Sequence, residues 1–477
     1  MLRSNLNQQK GIVLLMLVII ITLAFITYAV TSLSINDIKY KNAENTQLAL
    51  KKAKSALLNF AITHMNQVGD AGEMGFLPCP DTAITVFSDE GVQESPCGSQ
   101  YENSIGFLPW ATLDLPVLKD SSGSCLLYAV SNTYKLNPTN MLNDDSNGML
   151  QVVNSAGVVQ GSALPEDRYV AIVFSPGEPL AGQVRTFDAE TNCGNDYNVT
   201  AFLEGVGLIN NGVLSTVDNT IDQFIHKAST SAVAQPLYND KFITISKSEI
   251  WSAITAKNNF ITTMSDLTME LAVCLARHSK LGSNRRLPWP VQLDVNSQNY
   301  REDASYDDNV GIYAGRYPFR VVDSSAASDI TEGTDILFEY SGLGQCDNIT
   351  TEYRKLWENW KDHFFYALSK DYEPGSTGET VCASNCIKVD SNEYAGAVIF
   401  SGLKYDNTIE RNDIFSGDPG DDKADVFNYL ENGYGAIFLG ADGSDSYNKV
   451  DTLMSNDIMF CITDELTTTD LNVVPCS

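Results

Sequence analysis

The chain has 477 residues, with 31 Lys plus Arg against 60 Asp plus Glu, four His and ten Cys, for a formal net charge of −29. That length allows two or three domains, and a 43 % hydrophobic content excludes wholesale disorder and a polytopic membrane protein. The acidity repels phosphate backbones and anionic lipid surfaces, which excludes nucleic acid as the expected partner. Ten cysteines against four histidines favour structural disulfides over metal sites, and with them an oxidising compartment.

Residues 1–11 form a polar leader whose charges are Arg3 and Lys10, ending at Gly11. From Ile12 to Val30 the sequence is almost unbroken aliphatic, and residues 12–36 carry no charge. Such a run predicts a helix that crosses a bilayer, with Arg3 and Lys10 kept on the cytoplasmic side of the inner membrane and the rest of the chain beyond it. The helix is expected to continue to residue 66, because Leu50, Ala53, Leu57, Phe60 and Ala61 fall at three- and four-residue steps with Lys51, Lys52 and Lys54 between them. One face of residues 46–66 should therefore dock on the globular part.

Two copies of one pattern follow, assigned to residues 67–256 and 257–477. The first contains Leu77-Pro78-Cys79-Pro80, Gly106-Phe107-Leu108-Pro109, Tyr128-Ala129-Val130-Ser131, Val173-Phe174-Ser175, Phe202-Leu203-Glu204 and Asn239-Asp240-Lys241. The second contains Leu287-Pro288-Trp289-Pro290, Gly315-Arg316-Tyr317-Pro318, Tyr366-Ala367-Leu368-Ser369, Ile399-Phe400-Ser401, Tyr429-Leu430-Glu431 and Asn456-Asp457-Ile458 in the same order. A helical pattern near residues 264–280 precedes the second copy, and short β-branched runs such as YVAIVF and AGAVIF read as buried strands. The expected fold is α+β: a long N-terminal helix, then two tandem units of a helix packed on a mainly antiparallel sheet.

The leader ending Gln9-Lys10-Gly11 ahead of the apolar helix resembles that of type IV prepilins and pseudopilins. The motifs LPCPD, GFLPW, LYAVS and FSPG resemble large pilin-like proteins of Gram-negative bacteria. The resemblance implies cleavage between Gly11 and Ile12 by a prepilin peptidase and methylation of the new N-terminus. It also implies assembly with other pilins or pseudopilins on a filament platform, from the inner membrane into a periplasmic or surface filament. The family usually has Phe first and Glu fifth in the mature chain, whereas Ile12 and Met16 stand here. Met16 cannot pair with the N-terminal amine of a subunit above it, which implies a tip or initiating subunit. The expected function is therefore a non-enzymatic minor pilin at the tip of a type IV pilus or type II secretion pseudopilus. A tip adhesin or a signal-anchored periplasmic enzyme are the alternatives.

Among chemistry-bearing residues, no hydrolase elbow, zinc-protease or nucleotide-loop motif occurs. Ser175 and Ser401 are expected at matching strand ends, where a serine more often caps a turn than attacks a substrate. The expected disulfides are Cys79 with Cys97, Cys382 with Cys386 and Cys461 with Cys476. No cofactor is expected, with calcium the one candidate: Asn143, Asp145 and Asn147 alternate as loop ligands would, but the twelfth position is Asn154 rather than Glu. Arg277, His278, Lys280, Arg285 and Arg286 form a dense basic cluster, explained by the dipole at a helix C-terminus.

Overall fold

The computed structural model describes residues 5–68, 74–83, 89–136, 141–186, 190–194, 196–226, 238–257, 259–279, 285–294, 306–321, 334–335, 351–375, 381–403, 411, 423, 425–430, 434–447, 457–464 and 471–476. Helix α1 (Asn5–Val68) leads into strands β1 (Ser104–Phe107), β2 (Leu127–Val130), β3 (Leu150–Val153), β4 (Tyr169–Ser175), β5 (Gly205–Val206), β6 (Ile209–Asn210), β7 (Asp222–Ile225) and β8 (Lys241–Ser246). Helices α2 (Lys247–Thr255) and α3 (Asn259–His278) follow, then β9 (Ala314–Arg316), β10 (Arg320–Val321), β11 (Thr334–Asp335), α4 (Thr351–Trp360) and β12 (Phe364–Leu368). The chain closes with β13 (Ile387–Val389), β14 (Asn392–Tyr394), β15 (Gly396–Phe400), α5 (Tyr434–Leu439), β16 (Ser446–Tyr447), β17 (Ile458–Asp464) and β18 (Leu471–Pro475). The fold is α+β.

Two sheets organise it. The first runs β1-β2-β4-β3-β7 with β8 paired to β4, and the second runs β9-β12-β15-β17-β18. Within each, four antiparallel strands follow one path, β1-β2-β4-β8 and β9-β12-β15-β17. Each sheet takes a helix on one face: α1 lies on β4 and β8, and α3 on β15, β17 and β18. The helix-side faces share one continuous core, in which Leu50, Ala53, Leu57 and Ala61 of α1 join Trp251 of α2, Leu267 and Leu271 of α3, and Tyr128, Val173, Tyr366 and Val398 of the strands. The outer faces are covered separately, by Phe202 and Leu203 over the first sheet and by Tyr429, Leu430 and Phe438 over the second.

Details recur between the sheets. The backbones of Asp81 and Phe107 exchange two hydrogen bonds (3.0 and 2.8 Å), and those of Val291 and Arg316 do the same (3.0 and 2.9 Å). These bonds lay the LPCP and LPWP segments along the edge strands, and the contact is close enough to require glycine. A Cβ on Gly106 would stand 2.4 Å from the Asp81 carbonyl oxygen, and one on Gly315 only 1.8 Å from that of Val291. A 3₁₀ turn precedes each outer-face aromatic, capped by the side chain of Asn198 before Phe202 and by that of Asp425 before Tyr429.

The registers correct one match. Tyr128 lies opposite Val173 and Tyr366 opposite Val398, so the counterpart of Phe174 is Ile399, not Phe400. Phe174 indeed faces the outer cluster and Phe400 the helix-side core. Because strand side chains alternate with period two, an offset of one residue puts the two on opposite faces. Ser175 and Ser401 are therefore not equivalent.

Candidate functional site

The N-terminal helix is two different surfaces on one rod. Gly11, Ile12 and Met16 all lie within α1, which is continuous from Asn5. From Ile12 to Tyr28 its large apolar side chains are exposed all round; Ile12 is 58 % exposed, Met16 61 % and Phe25 70 %. From Leu50 to Ala61 one face is buried, Leu57 completely. Lys54 anchors that half, donating to the Thr244 carbonyl (2.7 Å) and pairing with Glu249 of the α2 capping box. Among the described residues no helix is long and apolar enough to cross a membrane.

Among the described residues, a concentration of buried charge lies between the two sheets' units. Asp144 and Asp145 sit in the turn before β3, while Asp362 and His363 form part of a 3₁₀ turn joining α4 to β12. All four are buried. His363 Nε2 stands 3.1 Å from Asp145 Oδ2, 3.8 Å from Asp362 Oδ1 and 3.9 Å from Asp144 Oδ1. Lys423 pairs with the other oxygen of Asp362, and Arg411 Nη1 lies 3.9 Å from Asp145 Oδ1. Asn143 stitches the units together, its amide donating to the Asn359 carbonyl (2.9 Å) and to Asp362 Oδ1 (3.1 Å). Burial alone would raise the pKa of Asp145, but His363, Arg411 and Lys423 outweigh it and hold the carboxyl well below its usual range. Asp362 is lowered in the same way, Lys423 and His363 prevailing over desolvation.

Arg411 has a counterpart in the first unit. Its Nε donates to the Asn428 carbonyl (2.6 Å) and its guanidinium stacks 4.5 Å from the Tyr429 ring centre. In the first unit Arg185 donates Nε to the Ala201 carbonyl (3.1 Å) and stacks 4.9 Å from Phe202. Arg185, however, spends its remaining donors on neutral acceptors, Ser124 Oγ, the Gly177 carbonyl and Gln183. Only Arg411 faces a carboxylate of the other unit. Arg316, fully buried, adds a third cation here, donating to the carbonyls of Leu293, Asp362 and Lys423 and stacking on Phe365 and Tyr429.

Ser401 Oγ lies 3.4 Å from His363 Nδ1, which gives Ser401, His363 and Asp145 the outline of a nucleophilic triad. The protons do not fit that chemistry. Nδ1 also contacts the Gly402 carbonyl at 3.2 Å, and since a carbonyl only accepts, Nδ1 carries the hydrogen and cannot take one from Ser401. Ser175 instead donates to Asp120 Oδ2 (2.9 Å), which also accepts the Gly177 amide in the following turn (2.9 Å). No family model, curated protein or solved structure matches the chain.

The remaining expectations divide as follows. Asn143, Asp145 and Asn147 do not converge as calcium ligands: Asn143 turns to Asn359 and Asp362, Asp145 to His363 and Arg411, and Asn147 accepts from Lys247 (3.0 Å). Alternation along a sequence aligns ligands only when the loop wraps one point, and here Asp145 N–H donates back to Asn143 Oδ1 (3.0 Å) in a tight turn. Cys79 is bonded to Cys97, Cys382 to Cys386 and Cys461 to Cys476, and a further bond joins Cys125 to Cys193 across 68 positions. The basic cluster disperses: His278 is buried with its pKa lowered to about 4 by desolvation, Arg285 pairs with Asp464 (2.6 Å), and Arg286 donates to the Asp371 carbonyl (2.6 Å). Lys280 lies outside the described residues.

Proposed function

We propose that this chain is a non-enzymatic minor pilin or pseudopilin, assembled through α1 and placed at the tip of a type IV pilus or type II secretion pseudopilus. The observation that carries the reading is the division of α1, one half docked on the first sheet and the other projecting with its apolar side chains uncovered. An exposed apolar rod of this kind needs a hydrocarbon or protein environment around it. The helical backbone continues past Tyr28, and the aliphatic sequence from Ile12 to Val30 corresponds to about 28 Å, close to the roughly 30 Å hydrocarbon core of a bilayer. The same surface would then pass from the inner membrane into contact with neighbouring subunits.

Met16 supports the tip position. A carboxylate at that place would need an amine partner in an apolar filament core, and a thioether needs none. The four disulfides between described residues support a periplasmic or extracellular setting for the globular part. Partners on this reading are a prepilin peptidase, other pilins or pseudopilins, and the assembly platform.

Mass spectrometry of the N-terminal peptide, taken from cells with an active prepilin peptidase, tests it. The peptide should begin at Ile12, and immunogold should label filaments at one end. Recovery of Met1 would overturn the pilin reading, and regular labelling along the shaft would overturn the tip position.

A further inference from the structure

We propose that Asp144, Asp145 and His363 form a binding site for one divalent transition-metal ion, of the zinc or manganese kind, that clasps the two sheet units together. One ligand atom from each of the three lies within 4.8 Å of the others, and all three residues are buried. His363 Nε2 makes no aligned hydrogen bond although the ring is fully buried and carboxylate oxygens lie 3.1 and 3.9 Å away. A lone pair facing carboxylates is repulsive, so Nε2 must carry either a proton or a metal ion.

Three further features favour the metal. The separations match the donor set, since oxygen and nitrogen ligands at ~2.0–2.1 Å from a tetrahedral centre lie about 3.4 Å apart, between the two distances observed. The opposite ring nitrogen donates to the Gly402 carbonyl, as a metal-bound imidazole needs in order to fix its tautomer and orientation. The nearest cations approach other oxygens: Arg411 lies by Asp145 Oδ1, while Oδ2 meets the imidazole and, at 3.5 Å, the Tyr429 hydroxyl, and Lys423 pairs with Asp362. An imidazole among the donors selects against calcium, which prefers oxygen throughout.

An access route exists as well. A groove of about 740 Å³ has Asp144 in its lining, together with Trp251, Leu403, Glu166 and Asp167. The ion would tie a turn of the first unit to the start of β12 in the second. The site is independent of how α1 is processed or where the protein is placed, so either proposal can fail without the other.

The test uses the full chain in detergent, stripped with EDTA and titrated separately with Zn²⁺ and Mn²⁺, with bound metal counted by native mass spectrometry. One ion per chain is expected, with a rise in Tm at saturation, and Asp144→Asn and His363→Gln should each weaken binding at least tenfold. The cobalt-loaded protein should show a visible spectrum of mixed nitrogen and oxygen ligation that His363→Gln abolishes. Should His363→Gln fail to fold, Asp144→Asn decides, because it changes one atom at the groove. Absence of stoichiometric binding, or binding of the same strength in Asp144→Asn, would overturn the site.

Discussion

Gly315→Ala tests the reason a glycine recurs on each edge strand. The added Cβ would stand 1.8 Å from the Val291 carbonyl oxygen, so the LPWP segment must retreat by more than 1 Å. That retreat breaks the two backbone bonds between Val291 and Arg316, worth about 1 kcal/mol each, and overpacking adds roughly 1–3 kcal/mol. The stiffer unfolded chain returns ~0.4–1 kcal/mol, leaving a loss of about 2–5 kcal/mol. Gly106→Ala meets the Asp81 carbonyl at 2.4 Å and should cost somewhat less by the same route. Gly440→Ala is the control, since its nearest atom is 3.9 Å away and alanine there should be neutral or slightly stabilising. Urea titration with disulfides intact, followed by tryptophan fluorescence, gives the midpoints; Trp289 lies within the displaced segment. If Gly315→Ala melted with Gly440→Ala, the close-approach argument would be refuted.

The same titration reads three other outcomes. Burial and Glu204 raise the Asp240 pKa from 3.8 to about 9, so the native state holds a proton the unfolded chain has released. This stabilisation is complete below about pH 4 and fades as pH climbs toward 9, and Asp240→Asn should flatten the slope between pH 5 and 8.5; an unchanged slope would show that the pair does not share a proton. Removing both Cys125 and Cys193 opens a loop of 68 positions and should cost about 4 kcal/mol, against roughly 2 kcal/mol for the Cys382–Cys386 pair, separated by 4; equal losses would contradict the loop-length account. Arg316→Lys keeps the charge but loses the planar fork that serves three carbonyls and two rings, and a loss of about 3 kcal/mol is expected; a loss below 1 kcal/mol would mean the lysine reaches the same acceptors.

Local chemistry was legible in the sequence. The docked face at Leu50, Ala53, Leu57 and Ala61 and the strand segments carrying Tyr128 and Tyr366 follow from periodicities of 3.6 and 2, which any short window displays. Cys79 and Cys97, like Cys461 and Cys476, are near enough along the chain for closure to be the simple outcome. Register was not legible, because Val173-Phe174-Ser175 and Ile399-Phe400-Ser401 read alike while a single residue of offset reverses the faces.

The charge cluster belonged wholly to the tertiary structure. Asp145 and Tyr429 meet across 284 positions, and Asn143 and Asp362 across 219, with nothing in either local sequence to announce the partner. Asp145 read as a calcium ligand together with its neighbours Asn143 and Asn147, and in the folded chain it meets His363 and Arg411 instead. Arg185 and Arg411 stack on equivalent aromatics, yet only the fold sets one among neutral acceptors and the other beside a carboxylate. A sequence displays which side chains an element presents; which ones share a low-dielectric interior, and so bind, pair or shift one another's protons, depends on distances that only the packed chain establishes.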